Sequence, residues 1–266
     1  MDHLDTLESR SVYIIREAFK QYRRVGMLWS IGKDSTTLLW LVKKSFFGKV
    51  PFPVIYIDTG KHFREMYEFR DECVEKWDLN LIISSAAEEA DSKGVGPDAK
   101  IECCGMRKTS ALKQTIEEHG FDALLLGIRR DEHGIRAKER VFSPRDKDFR
   151  WNYKDQAPEL WEQFKSRKGS DQHLRIHPLL HWTEIDVWNY IKREGLPVNP
   201  LYFARNGKRY RSLGCMPCTD PVESEAGDID RIIREIRESR VAERSGRAQD
   251  KESADAMQQL RALGYM

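Results

Sequence analysis

Residues 26–40 read GMLWSIGKDSTTLLW, an apolar run that stops at Ser30 and resumes just after Ser35. Between them stand Ile31, Gly32, Lys33 and Asp34. A glycine-containing turn between a strand and a helix aims backbone N–H groups and the positive end of the helix dipole at an anion. Lys33 adds a point charge there, and Ser30 and Ser35 add hydroxyl donors. The ligand this seam predicts is phosphate, although the Walker A spacing is absent and an ordinary polar turn would use the same residue types. A second candidate set follows another apolar run: Arg129, Arg130 and Asp131, then Arg136, Lys138, Arg140 and Arg145. The latter four suit an anionic acceptor, or else form a solvated charged loop. The third set is sulfur. Cys103 and Cys104 are adjacent, and Cys215 and Cys218 form CMPC. Two such pairs suit a [4Fe–4S] cluster, a tetrahedral zinc ion or a dithiol, or are unrelated thiols. The two C-x-x-C knuckles of structural zinc sites are absent, and Cys73 reads as packing within a helix.

The elements that must position these groups follow from periodicity. Apolar spacing predicts helices over residues 7–22, 35–46, 63–77 and 106–120, the last closed by Gly120. Buried strands are predicted over residues 25–30, 52–60, 80–84 and 122–128. Strand and helix alternate four times, so the expected fold class is α/β, a doubly wound, mainly parallel sheet flanked by helices. Ligands of such sheets bind beyond the carboxyl ends of the strands. The segments SIGKDS, Asp58-Thr59-Gly60 and Gly127–Asp131 all fall there. The charged stretch after residue 130 is expected to form loops over the site. A strand or extended segment from residue 174 then leads to a helix ending at 195, N-capped by Thr183. Residues 197–219 read as loop, 228–246 as a surface helix, and the end as polar and partly helical. The division expected is residues 1–200 as the nucleotide domain and 201–266 as a helical, loop-rich C-terminal extension carrying the C-x-x-C loop.

A chain of 266 residues can bury a sizeable core in one large domain. Its 45 basic and 43 acidic residues leave a net charge of +2, which gives no bulk field for or against nucleic acid. Apolar runs such as ALLLGI (123–128) are too short to span a bilayer. The first ten residues are acidic early and lack an apolar core, unlike a secretory signal. The expected location is cytoplasmic, where cysteines stay free, bind metal or do redox work.

The stretches SIGKDS, PFPVIYIDTGKHFREMYEFRD, GFDALLLGIRRDEHGIRAKERVFSPRD, PELW, HPLLHWTEIDVWNYI, LGC, VES and ERSGRAQD span nearly the whole chain. Together they resemble the PP-loop ATP pyrophosphatase superfamily. Within it, they are most similar to the small subunit of bacterial ATP sulfurylase and its relatives, the phosphoadenylylsulfate reductases. The resemblance implies an adenine nucleotide α-hydrolase-like fold and cleavage of ATP between its α- and β-phosphates. It implies that Ser30, Ile31, Gly32, Lys33, Asp34 and Ser35 cradle pyrophosphate, and that Asp58, Gly60 and Gly127 complete the ATP site. Lys33, Asp34, Arg129, Arg130 and Asp131 become the catalytic set. Attack on the α-phosphate throws charge onto the leaving oxygens, which Lys33 and the loop amides can follow. Mg²⁺ would share that work, with Asp34 or Asp131 as ligands. CCGMRK and GCMPC resemble the segments that hold a [4Fe–4S] cluster in assimilatory adenylylsulfate reductases.

Two departures from the family pattern matter. The typical sulfurylase small subunit has no cysteine tetrad and carries a longer insertion before LGC, whereas this chain passes from NPLYF to RSLGC within a few residues. Pairing with a GTPase large subunit, which the sulfurylase resemblance implies, is thereby put in question. The reductases carry a catalytic cysteine near the C-terminus, and here none follows Cys218. The reading preferred on these grounds is sulfur insertion: an acceptor oxygen is adenylylated, and sulfur from a cysteine desulfurase or other donor displaces AMP. Nucleic acid is then the substrate, with DNA phosphorothioation as the case in view. The alternative is a sulfate adenylyltransferase small subunit, making adenylylsulfate and pyrophosphate. An adenylylsulfate reductase and a non-catalytic nucleotide or redox sensor rank below both. A homodimer is compatible with the sequence, and no membrane partner is expected.

Overall fold

The computed structural model describes residues 2–247 except 157, 160, 162, 165–168, 170–172 and 240. In chain order the helices and strands are α1 (His3–Gln21), β1 (Val25–Leu28), α2 (Lys33–Ser45), β2 (Val54–Asp58), α3 (Arg64–Trp77) and β3 (Leu81–Ser85). Then come α4 (Ala87–Ser92), α5 (Lys100–Cys104), a π-helical turn (Gly105–Ser110), α6 (Ala111–His119) and β4 (Ala123–Leu125). The rest are β5 (Phe142–Arg145), β6 (His173–Ile176), α7 (Glu184–Glu194), β7 (Lys208–Arg209), β8 (Val222–Glu223) and α8 (Ile229–Glu238).

Six strands form one sheet in the order β3-β2-β1-β4-β6-β5. All neighbours are parallel except β5 against β6. The expected doubly wound α/β class is what the structure has. Residues alternate between the two faces, as strand geometry requires. Met27, Val54, Tyr56 and Leu125 join the large core with α1, α2, α3, α7 and α8. Leu28, Ile55, Ile57 and Leu124 join a smaller core against α6, through Leu112 and Ile116. Strand β1 is buried on both faces, as parallel strands between helix layers are. Residues 201–247 contribute Tyr202, Ala226, Ile232 and Ile233 to the large core. No helix among the described residues is long and apolar enough to cross a membrane.

Chain direction along the sheet reverses between β1 and β4, so a crevice opens beyond their carboxyl ends. The site elements converge on it. Helix α2 starts at Lys33 with Gly32 as N-cap, two residues earlier than its apolar pattern predicts. Helices α1 and α7 are set by capping boxes, Asp2 with Asp5 and Thr183 with Asp186. Two expectations are corrected. The charged stretch after residue 130 is not all loop, because Phe142–Arg145 pairs antiparallel with β6 as an edge strand, where Pro144 costs no central hydrogen bond. The surface helix does not run over 228–246. It stops at Glu238, Ser239 turns extended, and a separate 3-10 turn spans Glu243–Gly246. A continued helix would carry Glu243 away from the buried cations it meets.

Gly127, just past β4, is where backbone meets backbone. A Cβ there would lie 2.9 Å from Ser35 Cα and 3.0 Å from the Asp34 carbonyl oxygen. Gly127→Ala is therefore expected to push α2 off β4. The cost is about 1–3 kcal/mol of stability for forced overpacking, read by denaturant unfolding, together with weakened ATP binding.

Candidate active site

The turn between β1 and α2 is locked from several sides. Ile31 has φ +63°, a left-handed conformation that a β-branched residue adopts only under constraint. Its side chain is fully buried in the large core, which offsets that strain. Ser30 and Ser35 hydroxyls lie 3.1 Å apart, and Ser35 Oγ donates to the Gly32 carbonyl at 3.1 Å. The Lys33 N–H donates to the Tyr202 hydroxyl oxygen at 2.9 Å. Ser30, Gly32, Lys33, Asp34, Ser35 and Gly127 all line one cavity in the crevice.

One wall is a crossed set of charges, of which Lys33, Asp34 and Glu243 line the cavity while Arg129 and Asp131 lie behind them. Lys33 Nζ donates to Asp34 Oδ2 at 3.1 Å and also to Glu243 Oε1. Arg129 donates from Nη1 to Asp34 Oδ1 and from Nη2 to Glu243 Oε2. Its Nε donates to Asp131 Oδ1 at 2.9 Å. Arg129 is wholly buried and Lys33 nearly so. Burial opposes the Arg129 charge, but Glu243, Glu132 and Asp131 more than compensate and raise its pKa. Burial likewise works against ionised Glu243, yet Arg129 and Lys33 hold its carboxyl well below the usual range. A second ring supports the first: Arg136 pairs with Glu132, whose Oε1 accepts from the Arg129 N–H at 3.0 Å. Arg244 stands 3.7 Å from Glu132. Beside the charges the cavity is lined by the apolar side chains of Leu28, Trp29, Ile55, Met66, Leu126 and Ile128, the kind of surface a flat base packs against.

The remaining sequence-derived candidates are placed as follows. Asp131 takes the Glu184 N–H at 2.8 Å, fixing the start of α7. Arg130 turns to His181, donating to Nδ1 at 2.8 Å, and does not line the cavity. Burial, with Arg10 and Arg130, lowers the pKa of His181 to about 4. Asp58 accepts from the Gly60 N–H at 2.8 Å and from the Tyr67 hydroxyl at 2.9 Å, stiffening the turn after β2. Of the four cations assigned to an acceptor, Arg136 lines the cavity. Lys138 is exposed over the Tyr153 ring, and the Arg140 carbonyl accepts from His177 Nδ1 at 2.7 Å. Arg145 is fully buried on Glu139 at 2.9 Å. Pattern reading missed Glu243, Arg244, Arg247, Tyr202 and Lys108, all of which line the cavity. The first three lie in ERSGRAQD, one of the stretches that carry the family resemblance, but the resemblance attaches no role to them there.

The four paired cysteines meet. Cys103, Cys104, Cys215 and Cys218 line a second cavity with Thr59, Arg107 and Lys108. Lys108 lines both cavities. The turn after β2 is stitched to the C-x-x-C loop: Met216 N–H donates to the Lys61 carbonyl at 2.7 Å, and Thr59 Oγ1 lies 3.3 Å from Cys215 Sγ. Burial alone would raise the Cys215 pKa, but Lys108, His62 and Thr59 bring it down to about 5. Burial and neighbouring thiols raise Cys103 and Cys218. Cys73 sits apart in α3, where burial pushes its thiol up to about 12. Among the described residues no three His, Cys, Asp or Glu side chains converge as a single metal ion needs.

Removing one member of a buried ion set leaves the others uncompensated. Arg129→Met strands Asp34 and Glu243 on Lys33 alone. It is expected to cost about 3–5 kcal/mol in equilibrium unfolding, whereas Lys138→Met on the exposed loop is expected to change stability by less than about 0.5 kcal/mol.

Comparison with known proteins is consistent across the chain. Residues 24–221 match the family model described as the phosphoadenosine phosphosulfate reductase domain. Sulfate adenylyltransferase subunit 2 of Pseudomonas putida is 40% identical over 301 aligned positions, covering 100% of this chain and 98% of the relative. The same subunit of Pseudomonas syringae pv. tomato matches to the same extent. Those 301 positions exceed the 266 residues here, so the alignment includes positions this chain lacks. In fold, it is similar to a phosphoadenylyl-sulfate reductase from Candida auris solved as a phosphate complex, with TM-score 0.56, 19% identity, and 82% of this chain and 96% of that one covered. It is similar also to Candida glabrata FMN adenylyltransferase solved with FAD and inorganic pyrophosphate, with TM-score 0.57, 15% identity and coverage of 100% and 88%. Matched by the family model over most of its length and by the Pseudomonas subunits along all of it, the chain belongs to the phosphoadenosine phosphosulfate reductase domain family.

Proposed function

We propose that this protein is an ATP-using adenylyltransferase that joins the adenylyl group to sulfate and releases pyrophosphate, the activity for which its Pseudomonas relatives are named. The observation that carries the reading is a pair of buried cations beside an apolar slot: Lys33 lines the cavity, and Arg129 lies wholly buried behind it, joined to it through Asp34 and Glu243. The base occupies the slot, and the β- and γ-phosphates meet Lys33, Arg129 and the α2 N-terminus. In-line attack on the α-phosphate then moves charge toward groups already positive and desolvated. Mg²⁺, held by the phosphates with Asp34 as its protein ligand, would add Lewis-acid neutralisation. Lys108, Arg136 and Arg244 line the same cavity and supply cations on the acceptor side. Under this reading the partner is a GTPase large subunit, and the location is cytoplasmic.

A second reading is favoured by one specific observation: four cysteines surround a cavity that shares Lys108 with the ATP cavity. Four thiols lining one cavity without converging on a point suit a [4Fe–4S] cluster better than a single ion, and Arg107 and Lys108 would balance its negative charge. Cys103, Cys104, Cys215 and Cys218 would hold it, and a cluster with all four irons so ligated would supply redox chemistry beside the ATP cavity, not an open iron. The enzyme would then activate an acceptor oxygen of nucleic acid for thiolation, as in DNA phosphorothioation, with a cysteine desulfurase as donor.

Anaerobic purification, a visible spectrum and a pyrophosphate-release assay separate the readings. Sulfate-stimulated release by a colourless protein is expected under the first. A brown protein releasing pyrophosphate with nucleic acid and not with sulfate would replace it with the second. Lys33→Ala is expected to abolish release under both, by at least about 100-fold if Lys33 acts on the transition-state charge. Under the second reading Cys104→Ser is expected to bleach the colour while ATP still binds.

A further inference from the structure

Both cations assigned to the leaving pyrophosphate are held by a carboxylate from far along the chain. Glu243 offers one oxygen to Lys33 and the other to Arg129, across separations of 210 and 114 residues. Two oxygens on one centre, spread over an ammonium and a guanidinium, is how a phosphoryl group would also engage them. Asp34 belongs to the first turn of α2, so its backbone is fixed with the loop, and its shorter side chain gives its carboxylate less reach to swing clear than that of Glu243. Glu243 rides on a short 3-10 turn anchored by other groups. Asp220 N–H donates to the Gly246 carbonyl at 2.9 Å, Arg247 reaches the Leu213 carbonyl, and Thr219 bridges Arg247 through the backbone. None of these bonds uses the Glu243 side chain, so its carboxylate can swing while the turn stays.

We propose that Glu243 is a built-in pyrophosphate surrogate, seated on Lys33 and Arg129 in mutual exclusion with pyrophosphate. ATP entry displaces the carboxylate, and its return helps to expel pyrophosphate after the adenylyl group has left. Glu243 is thus a positioning residue acting through two cations, and it should not touch the nucleoside. The mutual exclusion is electrostatic. Were the carboxylate to stay, two anions would share the same desolvated cations, and like charges at such range repel strongly. Freed of it, Lys33 and Arg129 would still be neutralised by phosphate, so nothing in the filled site requires the carboxylate.

The inference rests on reading this cavity as the ATP site, and its test separates the two. Titration calorimetry on the full chain measures inorganic pyrophosphate and AMP separately, for wild type and Glu243→Gln. The expected result is pyrophosphate binding at least tenfold tighter in the variant, with AMP affinity within twofold. A purely structural Glu243 would weaken both ligands together. Pyrophosphate binding that is unchanged or weaker in a folded variant overturns the inference and leaves the ATP site standing. No binding of pyrophosphate or AMP by either protein overturns both. Should Glu243→Gln not fold, Glu243→Asp takes its place. Its carboxylate is one methylene too short to span both cations, and it must shift pyrophosphate affinity in the same direction.

Discussion

Lys33 and Arg129 lie side by side almost without solvent, and a buried cation is tolerated only where its counter-charge is built in. Asp34 and Glu243 provide it, each bridging both cations. Four groups from three distant segments must therefore arrive together: the first turn of α2, the end of β4, and the turn after α8. Much else in the structure serves that meeting. Ile31 accepts a left-handed backbone so that Gly32 can open α2 at the crevice. Gly127 has no side chain because Arg129 reaches Asp34 only when β4 runs hard against α2. Tyr202, far along the chain, closes over the Lys33 amide. The fold's topology places the switch between β1 and β4 where these demands coincide.

How legible this was depended on the range of each interaction. Strands β1, β2 and β4 announced themselves as buried apolar runs, and the alternation with helices fixed the sheet's class without knowledge of contacts. Lys33 and Asp34 were legible because strand, turn and helix are adjacent in sequence. Glu243 was not, since a glutamate in a charged C-terminal stretch looks solvated until its partner 210 residues away is known. Strand β5 escaped for a related reason: FSPR is short, holds a proline and an arginine, and shows no alternation. Arg145 resembled a surface cation and is instead sealed against Glu139. Charge density in sequence marks where ions will be, and it does not say which of them face water.

The two cavities are physically one system. The turn after β2 forms a wall of each, Met216 is bonded to Lys61 across that wall, and Lys108 borders both spaces. Any change of charge among the thiols is felt by an ammonium that also lines the nucleotide cavity, at a range where a low-dielectric wall screens little. Adenylyl transfer to sulfate needs no such neighbour, and that is why the cysteines keep a second reading alive beside the one the relatives' names favour.

Lys108 and the cysteine pair owe their bearing to the π-helical turn Gly105–Ser110 between α5 and α6. Ser110 Oγ donates to the Gly105 carbonyl at 3.2 Å, five residues back. Such a turn holds one residue more than an α-helix spanning the same rise. Helix α6 is keyed to the sheet by Leu112 and Ile116, so its azimuth is not free. A chain one residue shorter here would keep that docking while rotating positions 103 and 104 by about 100° around the axis. Two cysteine codons alone would then put sulfur on the wrong side of the helix. The surplus residue is the hinge of phase that lets one helix answer to the core at one end and to the thiol cavity at the other.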